Sequence, residues 1–249
     1  MIPIIRIKAY QYCSYRPYLL AYPYHKAYMK KGITIAIIIL ICIGFGYFLL
    51  KISPDQSTVK STIDTSGAKQ LTEVPKFDPT ADRYEGNKDA KNVFVEYADY
   101  QCPACAAYYP ILKQYESEAT DTVFVYRYFP LVQIHKNAVI SAYAAEAAGE
   151  QGKYWEMHDI LFTKQQEWEG LANPLDQFAK YAQSIGVSNI DKFKSDITSE
   201  KFKSVIERTN NQATGLQLEG TPTFFFNGHK LQNTDLAGLK QQTQQYINK

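Results

Sequence analysis

From Ile33 to Leu50 the chain carries no charged side chain and is dominated by Ile, Leu and Phe. A stretch that is apolar on every face does not suit the surface helix of a globular core. Crossing the hydrocarbon of a bilayer takes roughly 20 apolar residues, with about 17 as a lower limit. Lys30, Lys31 and Lys51 stand where their side chains could extend the span by snorkelling. The run is therefore read as a transmembrane helix. It is longer than the apolar part of a cleaved signal, about 7–15 residues. Gly44 and Gly46 are followed by Tyr47, Phe48, Leu49 and Leu50 rather than by a small-residue cleavage site. An uncleaved anchor at 33–50 is expected.

The anchor divides the chain. Residues 1–32 hold six bases (Arg6, Lys8, Arg16, Lys26, Lys30, Lys31) and no acid. The positive-inside rule puts this Tyr-rich tail in the cytoplasm and the remainder in the periplasm or an extracellular space. Met29-Lys30-Lys31 directly before the run would make a complete anchor alone, so 1–28 reads either as a short tail or as sequence upstream of a true start at Met29. Beyond Lys51, 20 bases face all 25 acids. A mildly acidic folded part lacks the basic footprint of a nucleic-acid binder. Residues 51–81 are polar, with Pro54, Pro75 and Pro79 and no apolar period. They read as a flexible tether with a reach of roughly 30 Å.

The folded domain is expected over 82–249. Val93–Tyr97 reads as a buried strand with one acid, Glu96, inside it. Asp99-Tyr100-Gln101-Cys102-Pro103-Ala104-Cys105 follows and opens a helix. Thr122–Phe129 is a second strand, β-branched and aromatic. Helices are expected over Asn137–Glu150, Tyr154–Phe162, from Asn173-Pro174 to Gly186, and over Ser199–Gln212. Thr221–Phe226 reads as a strand, Asn227-Gly228 as a two-residue hairpin turn, and Thr234 or Asp235 as the cap of a last helix. A parallel crossover followed by an antiparallel hairpin predicts an α/β fold, a mixed sheet with helices on its faces.

Cys13 lies in the tail and Cys42 in the apolar run, where each reads as a small apolar filler. The domain keeps only Cys102 and Cys105. A disulfide closing so short a loop stabilises little, so the pair suits switching better than stapling. Cys102 follows a strand and opens a helix, where unpaired N–H groups and the helix dipole favour a thiolate. The thiolate is the nucleophile and the good leaving group. Pro103 fits the first helical turn because it needs no N–H partner. Cys105, one turn further in, should be less exposed and act as the resolving sulfur. A zinc site would need about four ligands, and neither a second Cys-x-x-Cys nor a His-x-x-x-His is present, so no metal is expected. Glu96 reads as a buried proton acceptor near Cys105; the alternative is a strand-edge acid paired with a lysine. Pro222 is either a plain strand-entry proline or a cis peptide packed beside the disulfide.

Together these residues resemble the DsbA-like branch of the thioredoxin superfamily. The likeness is carried by Gly86–Ala90, by Val95 through Cys105, and by Tyr128-Phe129-Pro130-Leu131 with His135. Gln151-Gly152-Lys153-Tyr154-Trp155-Glu156-Met157-His158 and Gly220-Thr221-Pro222-Thr223-Phe224 complete it. The resemblance implies a thioredoxin fold with a helical insertion at about 133–216. It implies a cis Pro222, a buried-acid position at Glu96, and a substrate groove lined by Thr221 and Pro222 together with Pro103 and Ala104. His135 and His158 match insertion residues read as structural. It also implies a membrane-anchored thiol:disulfide oxidoreductase, most simply an oxidase that forms disulfides in exported proteins. No cofactor beyond the redox disulfide is expected, and a quinone-linked membrane oxidase is the expected redox partner. A reductase or isomerase on the same fold, or a non-catalytic binding module or chaperone, are the alternatives. One departure stands out. Strong oxidants of the family often carry His between the cysteines, where this chain has Ala104, which points to milder oxidising power.

Overall fold

A computed structural model describes residues 63–247. The tail at 1–32, the apolar run at 33–50, Cys13 and Cys42 lie outside the described residues. Among the described residues no helix is long and apolar enough to cross a membrane.

The elements run β1 (Arg83–Glu85), β2 (Asn92–Ala98), α1 (Pro103–Glu118), β3 (Thr122–Tyr128), α2 (Ala138–Gly149), α3 (Tyr154–Thr163), α4 (Gln165–Trp168), α5 (Leu175–Ser184), α6 (Ile190–Thr198), α7 (Lys203–Gly215), β4 (Thr223–Phe226), β5 (His229–Lys230) and α8 (Leu236–Gln244). They form one mixed sheet in the order β1-β3-β2-β4-β5. β2 and β3 are parallel, with α1 as their crossover, and β2–β4 and β4–β5 are antiparallel. This is the expected mixed α/β architecture, and α2–α7 form the expected helical insertion between β3 and β4.

Side-chain alternation sorts the core. Phe94, Phe124, Phe224 and Phe226 pack with Leu112 and Tyr115 of α1 and Leu239 of α8 on one face. Val95, Tyr97, Val125 and Phe225 pack with Ala213 of α7 on the other. Tyr126 and Tyr128 at the end of β3 join Tyr100 and the apolar faces of the insertion helices. The insertion thus shares its core with the sheet end that carries the cysteines.

Local signals account for the element ends. Asn227 and Gly228 both take positive φ, 48° and 83°, as a type I′ hairpin requires. Asp235 Oδ1 accepts the Gly238 N–H at 2.9 Å and caps α8. Asn173 Oδ1 accepts the Leu175 N–H at 3.0 Å, so α5 starts one residue after Pro174 rather than on it. β1, α4 and α6 were not expected. β1 is three residues long and exists through its pairing with β3. α6 sets Ile190, Phe193 and Ile197 at i, i+3, i+7 on the core, an amphipathic stripe that sequence reasoning passed over. Glu200, at φ 54°, separates it from α7, which begins at Lys203 rather than Ser199.

The tether expected over 51–81 is corrected in its described part. Ile63 packs against the large core, Leu71 N–H bonds Gly215 O at 2.9 Å, and Val74 and Phe77 pack on the second face of the sheet. Arg127 of β3 explains the attachment. Its guanidinium is 1% exposed, pairs with Asp82 at 2.8 Å, and donates to the carbonyls of Pro75 and Lys76 at 2.9 and 3.2 Å. A buried cation needs all its donors met, and this segment supplies two acceptors. Replacing Asp82 with alanine should therefore cost about 3–5 kcal/mol, because it leaves Arg127 buried and uncompensated. Urea denaturation of the domain measures it; a loss below about 1 kcal/mol would contradict this account.

Candidate functional site: the Cys102–Cys105 turn

β2 ends at Ala98 and the chain turns through Asp99–Gln101 into α1. Cys102 occupies the N-cap of α1 with extended backbone (φ −71°, ψ 119°) and Pro103 follows in the first turn. No side chain caps this end, so the first N–H groups of the helix are left for the sulfur. Cys102 N–H bonds Asp99 O at 3.0 Å, which fixes the turn. Both cysteines are free thiols. Cys102 is 6% exposed and Cys105 fully buried, the expected order.

The two sulfurs are electrostatically opposite. The Cys102 thiol is pulled down to about 5, first by the Cys105 thiol donating to it, then by the Thr221 hydroxyl and the N–H groups of Cys105 and Ala104, against the cost of burial. Burial pushes the Cys105 thiol well above the usual range, and its bond to Cys102 and the nearby Glu96 carboxylate push the same way.

The loop before β4 comes within contact of this turn. The Thr221–Pro222 peptide is cis, and Cys102 Sγ lies 3.4 Å from Thr221 O. Thr221 Oγ1 is buried and meets no acceptor at normal hydrogen-bond geometry. The Thr221 side chain is among the groups that lower the Cys102 thiol. A groove of about 530 Å³ runs beside this loop, lined by Glu219 to Thr223 and Lys230 to Asn233. Cys102, Pro103, Ala104, Thr221 and Pro222 are therefore brought together.

Glu96 sits on the central strand, opposite Tyr126 and Phe224, on the face covered by α1. It is 8% exposed and forms no ion pair among the described residues, which removes the edge-acid alternative. Burial raises its carboxyl to about 8, helped by Glu116 and Cys102. A cavity of about 20 Å³ lies against it, lined also by Lys113, Glu116, Tyr126 and His158. That is room for about one water. Burial holds His158 neutral, with its imidazole down to about 3, and Nδ1 lies 2.9 Å from Tyr100 OH.

Sequence reasoning passed over the residues that hold the turn. Asp99 Oδ1 accepts Gln101 N–H at 2.8 Å and Oδ2 accepts Leu131 N–H at 3.0 Å. Gln165 donates to the carbonyls of Tyr100 and Cys102 at 2.7 and 3.0 Å. Gln101 bridges Asn137 N–H and Glu169 O at 2.6 and 2.8 Å. Asp99 and Gln101 had a signal, as polar residues abutting the cysteines. Gln165, 60-odd residues away, had none.

A strand-fed helix start bearing Cys-x-x-Cys against a cis-proline loop defines a domain of thioredoxin architecture. The family model described as Thioredoxin matches residues 79–245, and the chain belongs to that family. Among solved structures it is similar to oxidised BdbD from Bacillus subtilis, with a TM-score of 0.63 and 22% identity over 73% of this chain and 100% of that one. It is also similar to DsbG from Mycobacterium tuberculosis, with a TM-score of 0.55 and 19% identity over 69% and 90%. The fold is thus the DsbA-like form of the thioredoxin fold. Curated relatives include the Na(+)/H(+) antiporter NhaA 3 of Salinispora tropica, 35% identical over 61% of this chain and 22% of that protein. NhaA 1 of Mycolicibacterium gilvum is 30% identical over 81% and 31%. The chain spans about a fifth to a third of the length of these relatives.

Alkylation of the reduced protein should label Cys102 with a half-point near pH 5 and leave Cys105 unlabelled. Because folding lowers the Cys102 value, its stabilisation is present above the unfolded thiol's range and is lost as pH falls through about 5. Iodoacetamide kinetics against pH, read by peptide mass, check this. A half-point in the ordinary thiol range would refute it.

Proposed function

We propose that the chain is an extracytoplasmic thiol:disulfide oxidoreductase that forms disulfides in exported proteins. The observation that supports it best is the opposed state of the two sulfurs, one a stabilised thiolate at a helix start and the other a buried thiol. A low-affinity proton site at Cys102 makes its sulfur a good leaving group and its reduced state stable, so its disulfide with Cys105 is labile.

In this mechanism a substrate thiolate attacks Cys102 Sγ. The Cys102–Cys105 bond breaks and Cys105 leaves as a thiolate. Glu96, whose carboxyl holds its proton up to about 8, protonates it. A second substrate thiolate attacks the substrate sulfur of the mixed disulfide, and Cys102 leaves as the stable thiolate. The substrate has lost two electrons to the pair. Thr221 and Pro222 present backbone beside Cys102 for an extended substrate segment, with Pro103 and Ala104 exposed next to Cys102 at the helix start. The apolar run at 33–50 would hold the domain near a membrane oxidase, quinone-linked by resemblance, that reoxidises the pair. A match to a minor part of an antiporter carries over no transport activity.

Ala104 makes the direction of electron flow a question of potential. DsbA lies near about −120 mV and thioredoxin near about −270 mV. A Cys102–Cys105 couple toward the first supports the oxidase and toward the second a reductase. Cys102→Ser should abolish oxidation of a reduced peptide, and Cys105→Ser should accumulate a mixed disulfide through Cys102. Turnover surviving in Cys102→Ser would overturn the proposal.

A further inference from the structure

With alanine at 104, no imidazole stands between the cysteines. One is nevertheless held at the same turn. Asp99 lies three residues before Cys102, and its carboxylate is fully buried. Its main-chain oxygen accepts the Cys102 N–H, and its carboxylate accepts the N–H groups of Gln101 and Leu131. The turn that aims Cys102 is therefore built on a negative charge. Left alone, that charge would oppose a thiolate on the next residues. His135, from the loop before α2, closes on it. Nδ1 lies 2.7 Å from Asp99 Oδ2, and the ring is 13% exposed. The charged groups that act on His135 are Asp99, Cys102 and Glu169, and together they raise its imidazole above the ordinary range, the Asp99 hydrogen bond most of all. Its neighbour Lys136 is turned to Gly170 O at 3.3 Å.

We infer that Asp99 and His135 are a positioning pair for the redox centre: the imidazolium cancels the carboxylate that shapes the turn, and so keeps the Cys102 thiolate stable without a histidine at 104. The inference rests on the thiol-exchange reading of Cys102. It makes His135 more than a structural residue of the insertion. The charge set is complete between about pH 5, where Cys102 ionises, and the raised value at which His135 loses its proton. Above that, the thiolate faces an uncompensated Asp99.

His135→Asn keeps an amide donor for Asp99 and removes the charge. In the reduced full-length protein, the alkylation half-point of Cys102 should rise by about one unit, a roughly fivefold loss of rate at about pH 5. The couple should also become less oxidising. His135→Lys should recover part of the rate. Asp99→Asn added to His135→Asn should recover it too, since it removes the opposing charge. A folded His135→Asn protein that titrates like the wild type would overturn the pair. Should that variant not fold, linkage supplies a reciprocal reading. The His135 ring resonance of Cys102→Ser should titrate lower than that of the reduced wild type, and an unmoved titration would overturn the inference. Failure of disulfide exchange by the wild type would instead strike the oxidoreductase reading, because thiolate titration needs no turnover.

Discussion

The structure turns on one junction, where the central strand β2 gives way to α1. The residues there leave the sheet, have their hydrogen bonds met by the turn and by side chains instead of by a strand, and enter a helix whose first N–H groups no side chain caps. Cys102 stands at that point. A sulfur anion is the group that these N–H donors and the helix dipole favour. Cys105 follows one turn later, on the buried side of α1, where burial favours the thiol. Two identical side chains thus acquire opposite proton affinities from a displacement of one helical turn. The cis Thr221–Pro222 loop, delivered by β4 from the other side of β2, closes the site against Cys102 Sγ.

The helical insertion holds this junction rather than merely covering it. Gln165 on α4 binds the carbonyls on either side of Gln101. Asn137 at the start of α2 donates its N–H to Gln101 and its amide to the carbonyls of Glu169 and Leu171, tying the turn to the loop after α4. His135 meets Asp99. Residues from the insertion therefore fix a turn that belongs to the sheet. The large core, which joins Tyr100, Cys102 and Cys105 to α2, α3, α5, α6 and α7, is the apolar counterpart of the same coupling. The segment leading into the domain is fastened on the opposite face by Arg127 and Asp82, so its described part, 63–81, belongs to the folded domain.

How much of this was legible depends on range. Cys102-Pro103-Ala104-Cys105 after a β-rich run, Glu96 within that run, and Asn227-Gly228 after Thr221–Phe226 are local patterns, and each led to the correct element. β1 was not legible, because a three-residue strand carries almost no periodicity, whereas α6 does show an i, i+3, i+7 stripe in Ile190, Phe193 and Ile197 that was passed over. The polar stretch 63–81 read as tether because its few apolar residues, Ile63, Val74 and Phe77, are too sparse to show a period. They are anchored by partners that sequence does not reveal.

The sequence by itself determined the architecture and placed Cys102 and Cys105 together at a strand-to-helix turn. Strand alternation, helix starts and a cysteine at a strand-to-helix turn are fixed by residues within a few positions of one another, and short-range physics suffices to read them. Only the tertiary structure decided the proton affinities around that pair. These depend on burial and on groups brought from far along the chain: the Thr221 hydroxyl from beyond the insertion, Glu116 from the far end of α1, His135 from the loop after β3. Asp99 shows the difference most plainly. As sequence it is one acid in a turn; folded, it is a buried carboxylate that sets the turn and requires an imidazolium beside it.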